Sequence, residues 1–179
     1  MIPETPLEMT RYGLRPGGVG WFVVNARDVR WRDSGEIGAF CDFEGKSSFP
    51  GLGINLNVLQ PGQPLGMYHR ENAQEGFLVL AGTCLLIVEG EERELKTWDF
   101  FHCPPQTEHV IVGAGTGPAV VLAVGARGRR RKGIVYPVSE KALEHGAGVE
   151  AETANPAEAY GGFESWKRSL YQEGWLPEL

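Results

Sequence analysis

The chain has 179 residues, enough for one compact domain with terminal decoration and too few for two full ones. Its formal charge of −6 argues against a nucleic-acid partner, which demands a basic surface. The longest apolar stretch, residues 119–124, is far too short for a membrane-spanning helix.

Glycine and proline, 25 and 12 residues, make up about a fifth of the chain and are scattered along it. Such punctuation suits short strands joined by tight turns, not a helical bundle. Residues 1–19 are rich in both and read as an irregular N-terminal arm. The first six residues lack a basic region followed by an apolar run, so no secretory leader is expected. Strands are expected at 21–25, at 37–43 and at 54–59, where Ile54, Leu56 and Val58 alternate with Asn55 and Asn57. The turn Pro61-Gly62 precedes a short strand at 66–71. Segments 77–80 and 83–88 flank Ala81-Gly82, a hairpin signal, and Gly90-Glu91 turns into a strand at 93–96. Segment 100–103 stops at Pro104 and Pro105, 109–112 stops at Gly113, and 119–124 is the last expected strand. Short strands with regular turn signals point to an all-β sandwich or barrel.

Beyond Gly125 the texture changes. Ser139 caps an expected helix at 139–145, and Asn155-Pro156 opens another at 155–160. The tail carries Phe163, Trp166, Tyr171 and Trp175, read as packing anchors. The basic run at 127–132 reads as a solvated loop or a rim of positive potential. Cys41, Cys84 and Cys103 are an odd number in apolar surroundings, which fits free buried thiols and a cytoplasmic location.

Only four histidines are present, so their positions are informative. On a strand, His69 and Glu71 share one face. Glu75 follows four residues later, and His109 lies 34 residues beyond it, after a proline stop. Antiparallel strands of a small barrel can bring these together, and carboxylates buried there demand a cation or a proton. Imidazole and carboxylate donors suit a divalent transition metal: iron, manganese, nickel or zinc. His102 reads as a rim residue, with a substitute ligand as the alternative, and His145 as a surface residue. Asn55 and Asn57 either line the pocket or face solvent.

Residues 66–82 resemble the first cupin motif, with His69, Glu75 and Gly82 in their places. Residues 98–109 resemble the second, with Pro104 and His109 at the expected separation. The resemblance extends over roughly 20–126 and implies a cupin-type double-stranded β-helix, a jelly-roll barrel, here with short C-terminal helices. The chain then divides into an arm at 1–19, a barrel at 20–126 and a C-terminal extension at 127–179. The resemblance carries His69, Glu75 and His109 over as metal ligands. Glu71 stands where a second histidine is usual. Three roles fit it: a fourth ligand, a catalytic base facing substrate, or a structural acid paired with Arg70 or another basic residue. Trp98 and Gln106 replace two usual glycines, changes expected to touch turn geometry alone, and Gly113 replaces an asparagine. The resemblance further implies a small-molecule ligand or substrate and a homodimer joined through sheet edges. The expected activity is that of a metal-dependent oxygenase, decarboxylase or isomerase acting on a small polar molecule. A non-catalytic ligand-binding cupin and a metal-free enzyme resembling sugar epimerases are the alternatives.

Overall fold

A computed structural model describes residues 1–127 and 133–178. Two antiparallel sheets form a jelly-roll barrel. The larger is built from β3 (Trp31–Asp33), β4 (Ala39–Cys41), β5 (Leu52–Leu59), β6 (Glu75–Ala81), β9 (Phe100–Cys103), β11 (Ala119–Ala126) and β12 (Lys167–Ser169). Its spatial order is β12-β3-β4-β5-β11-β6-β9. The smaller sheet pairs β7 (Thr83–Val88) with β8 (Glu91–Lys96) and with β10 (His109–Ala114), in the order β10-β7-β8.

Alternation along the strands sorts the side chains into layers. Phe77, Val79, Cys84, Leu86, Cys103, Ile111 and Val121 fill the barrel between the sheets. The opposite faces of β4 and β5 present Ala39, Cys41, Leu56 and Val58 outward, where Trp31 and Trp175 cover them. The outer face of the small sheet offers Ile87, Val110 and Val112 to Ala142 of α1 (Glu140–Glu144) and to Ala147. The second helix, α2 (Pro156–Ala159), packs Ala159 with Met67 and Tyr136. Both helices start as the sequence signals. Ser139 Oγ accepts the Ala142 N–H at 3.3 Å, and Asn155 Oδ1 accepts the Ala157 N–H at 3.0 Å. All three cysteines are free and buried.

Several expectations are corrected. The N-terminal arm holds a hairpin, β1 (Leu7–Thr10) with β2 (Gly13–Pro16). Its turn relies on Gly13 at φ +110°, where a Cβ would meet the Asp28 carbonyl at 2.7 Å. Segment 21–25 forms no strand: beyond a single bridge from Trp21 to Glu4 it runs over the surface, with Val23 80% exposed. Strands β3 and β12, unmarked by alternation, pair with each other.

Ala81-Gly82 does not close a hairpin. It is the corner where the chain leaves one sheet for the other: β6 pairs with β11 and β9, β7 with β10 and β8. Gly82 sits at φ +75° and lies so near the Ala119 backbone that a Cβ would come within 2.8 Å of Ala119 Cα. The turn at Glu89-Gly90 does close a hairpin. Both residues have positive φ, as the twist of paired strands favours. The glycine replacements do fall in turns, where Trp98 and Gln106 keep left-handed φ of 76° and 71°.

Candidate metal centre

Segment 66–71 forms isolated bridges, not the expected strand. At His69 the bridge is reciprocal: each of His69 and His109 donates its N–H to the other's carbonyl, at 3.1 and 2.9 Å. Directly paired residues of antiparallel chains project to the same side, so both imidazoles enter the barrel, ring centroids 4.8 Å apart. Glu75, the first residue of β6, faces the same space. Its neighbour on β11 is Gly125, where a Cβ would stand 3.5 Å from Glu75 Oε1. Glu75 Oε2 lies 3.5 Å from His109 Nε2 and 3.9 Å from His69 Nε2.

The outer nitrogens of the rings explain this orientation. His69 Nδ1 lies 2.8 Å from the Met67 carbonyl, and His109 Nδ1 lies 3.1 Å from that of Thr107. A carbonyl only accepts, so each Nδ1 carries the proton and each Nε2 turns a lone pair toward Glu75. Burial, then the neighbouring His69, pushes His109 down to about 4, against the opposing Thr107 carbonyl. His109 is therefore neutral near pH 7, and its contact with Glu75 is not an ion pair. Two lone pairs and a carboxylate converging on one point suit a cation.

The donor atoms of His69, Glu75 and His109 all lie within 4.8 Å of one another. Bonds of about 2.0–2.2 Å to a divalent ion place donors about 3 to 4.4 Å apart, depending on angle. The trio fits such an ion after small adjustments, with coordination positions left open.

Glu71 is 3% exposed and stands outside the grouping of three. Its charge raises the Tyr136 hydroxyl and the Cys103 thiol, in each case well behind burial. Arg70, on the opposite face, has ion pairs to Glu108 at 2.5 Å and Glu152 at 3.6 Å. His102 is exposed on the outer face of β9, beside Phe100 in a depression of about 320 Å³. It stands outside the grouping of His69, Glu75 and His109. His145 is half-buried and meets Glu92 at 3.0 Å. Asn57 faces the barrel interior, 5% exposed, donating to the Val121 carbonyl at 3.1 Å. Of the basic run, Arg127 pairs with Glu44 and donates to the Phe49 carbonyl, while 128–132 lie outside the described residues.

Sequence reasoning missed the walls of this site. Phe77 and Phe101 lie against His109, ring centroids 5.3 and 5.7 Å away. Cys103, the cross-strand partner of Glu75, places Sγ 3.4 Å from His109 Nδ1. Burial and then Glu75 push its thiol up to about 12, so it remains protonated. Tyr136, from the extension, lies 6.1 Å from His69 between ring centroids. Alternation on β9 placed Cys103 inward, whereas nothing local marks Tyr136.

Comparison with known proteins agrees with the fold. Residues 55–125 match the family model for a cupin domain. No curated protein matches the chain at a significant level. A Thermotoga maritima structure named a predicted oxalate decarboxylase has the same fold at TM-score 0.53 and 19% identity, covering 59% of this chain and 99% of that one. An Acidithiobacillus ferrooxidans protein, provisionally named a sugar phosphate isomerase, is 29% identical at TM-score 0.43 and covers 48% of this chain. The match spans 54% of that protein's length. A sugar phosphate isomerase of the cupin superfamily from Silicibacter pomeroyi is 21% identical at TM-score 0.48, covering 55% of this chain and 69% of that one. Two ordered motifs, a jelly-roll barrel and the family match coincide over one stretch, and over residues 55–125 the chain is similar to the cupin domain family.

Proposed function

We propose that this protein is a metal-dependent enzyme acting on a small polar molecule, with the ion held by His69, Glu75 and His109. One observation carries the reading: both Nδ1 atoms are tied to backbone carbonyls while both Nε2 atoms face the Glu75 carboxylate. Iron, manganese, nickel or zinc suits these donors, and when bound supplies Lewis acidity toward an oxygen of the substrate.

The chain's own residues do the rest. Phe77 and Phe101 exclude water from the His109 side. The His69 side chain, 22% exposed against 3% for His109, marks the side from which a small molecule approaches. Glu71 holds or moves a proton at its carboxylate, or completes the ligand set.

Metal analysis of protein purified without chelator tests the reading. About one ion per chain, lost in His69→Ala, is the expected result; no stoichiometric metal in the parent protein overturns it. Glu71→Gln separates the two roles of that residue, since a proton carrier leaves metal content intact and a ligand does not. Turnover in a screen of diketones, phenols and sugar acids distinguishes an enzyme from a binding protein.

A further inference from the structure

The backbone that carries His69 is held by two different parts of the molecule. The Leu65 and His69 N–H groups donate to β10, at the Ile111 and His109 carbonyls, 2.8 and 3.1 Å away. Between and beyond them the partners come from the C-terminal extension. The Met67 N–H donates to Tyr160 Oη at 3.2 Å, Tyr68 N–H to the Ala147 carbonyl at 2.7 Å, and Arg70 N–H to the Val135 carbonyl at 3.0 Å. None of these three partners falls within residues 55–125, the stretch that matches the family model.

The Met67 carbonyl sets the proton position on His69. That carbonyl shares a peptide plane with the Tyr68 N–H, so Ala147 clamps the plane from its far side. The preceding plane ends in the Met67 N–H and is clamped by the Tyr160 hydroxyl. Met67 is thus fixed on both flanks, with its side chain 2% exposed. The fit under the hydroxyl is close: a Cβ at Gly66 would stand 3.0 Å from Tyr160 Oη. Tyr160 itself follows α2 and is steadied by Tyr136 and Trp166, ring centroids 5.9 and 5.6 Å away.

We propose that Tyr160 is a positioning residue for His69: its hydroxyl holds the Met67 backbone so that the Met67 carbonyl keeps the His69 proton on Nδ1 and the Nε2 lone pair directed into the barrel. This rests on the reading of His69 as a metal ligand. The extension is then a working part of the centre, not an appendage to the barrel. A rotated Met67 carbonyl releases the ring and lets the Nε2–H form compete, which blocks a metal ligand.

Tyr160→Phe tests this in the full chain, because it keeps the ring and removes only the oxygen. Histidine ¹⁵N resonances of the metal-free protein report the tautomer directly. The parent is expected to show His69 as the Nδ1–H form alone, and Tyr160→Phe a mixture with the Nε2–H form, with His109 unchanged. Cobalt(II) affinity, measured by chelator competition, is expected to fall about 10-fold or more, the range for lost partners of metal-bound histidines. Gly66→Ala presses on the hydroxyl from the other side and is expected to mix the tautomers too; it serves if Tyr160→Phe fails to fold. An unmixed tautomer with cobalt affinity within about twofold of the parent overturns the proposal, even if thermal stability drops. A parent protein that binds no cobalt would overturn the metal reading instead, and the tautomer measurement still decides the role of Tyr160.

Discussion

At Gly113 a Cβ would stand 2.3 Å from the Gln60 carbonyl oxygen, whereas at Gly117 it would meet nothing within 4 Å. Gly113→Ala is therefore expected to cost about 2 kcal/mol or more, and Gly117→Ala about 0.5 kcal/mol or less, in urea unfolding. Trp98 presents the opposite case. It is 71% exposed at φ 76°, and its N–H bond to the Val79 carbonyl survives any substitution but proline. Trp98→Gly should relieve left-handed strain and raise stability by about 1 kcal/mol, read as a higher urea midpoint. His109 gives the metal-free protein a pH dependence. Its native pKa of about 4 lies below the ordinary 6.5, so between these values the unfolded chain holds a proton that the native one refuses. Stability contributed by this residue is full above pH 6.5 and declines as pH falls toward 4, by at most about 3 kcal/mol. Comparing urea midpoints of the parent and His109→Gln at pH 7.5 and 5 checks the sign: the parent should lose more.

Among the elements, the tail carries more than its composition suggests. Trp175 is 7% exposed and packs tilted against Trp31 at 5.0 Å between centroids, closing the outer layer over β3 and β4. Trp175→Ala is expected to cost about 3 kcal/mol, read as a lower urea midpoint with the metal trio still in place. That the tail aromatics anchor packing was legible from their type and number; that the tail adds a strand was not. Lys167 to Ser169 is a polar triplet whose partners lie 134 to 138 residues earlier, and no local pattern encodes such a pairing. The Ala81-Gly82 signal shows the same limit. Local chemistry announced a bend with a left-handed residue, but which strands flank it in space depends on the closure of the barrel. Alternation on β9 puts Cys103 and His102 on opposite faces, and the structure buries the first and exposes the second. Alternation failed at residues 21–25, whose apolar side chains have no ladder to join. That His69, Glu75 and His109 come together was readable because their spacing is tied to two turn-bounded motifs. Tyr136, Tyr160 and Ala147 were not, since they reach the site from a segment with no motif.

For the whole molecule, an ion bound to the native state alone should raise its stability by about 2.7 kcal/mol when free metal is a hundred times its dissociation constant. Thermal melts with and without added zinc are expected to differ in the parent and to coincide in His69→Ala and His109→Ala, because each removes one of three donors. Equal shifts in parent and variants would place the metal elsewhere. The pairing of β12 with β3 also has a consequence for biosynthesis. At roughly 5–20 residues per second, a ribosome needs about 7–27 s to travel from the first of these strands to the second. Throughout that interval the outer edge of β3 lacks its partner strand and Trp31 lacks the covering Trp175. A chaperone that recognises exposed apolar strands therefore has its longest opportunity at the N-terminal third, and messages truncated before codon 167 should yield aggregating products.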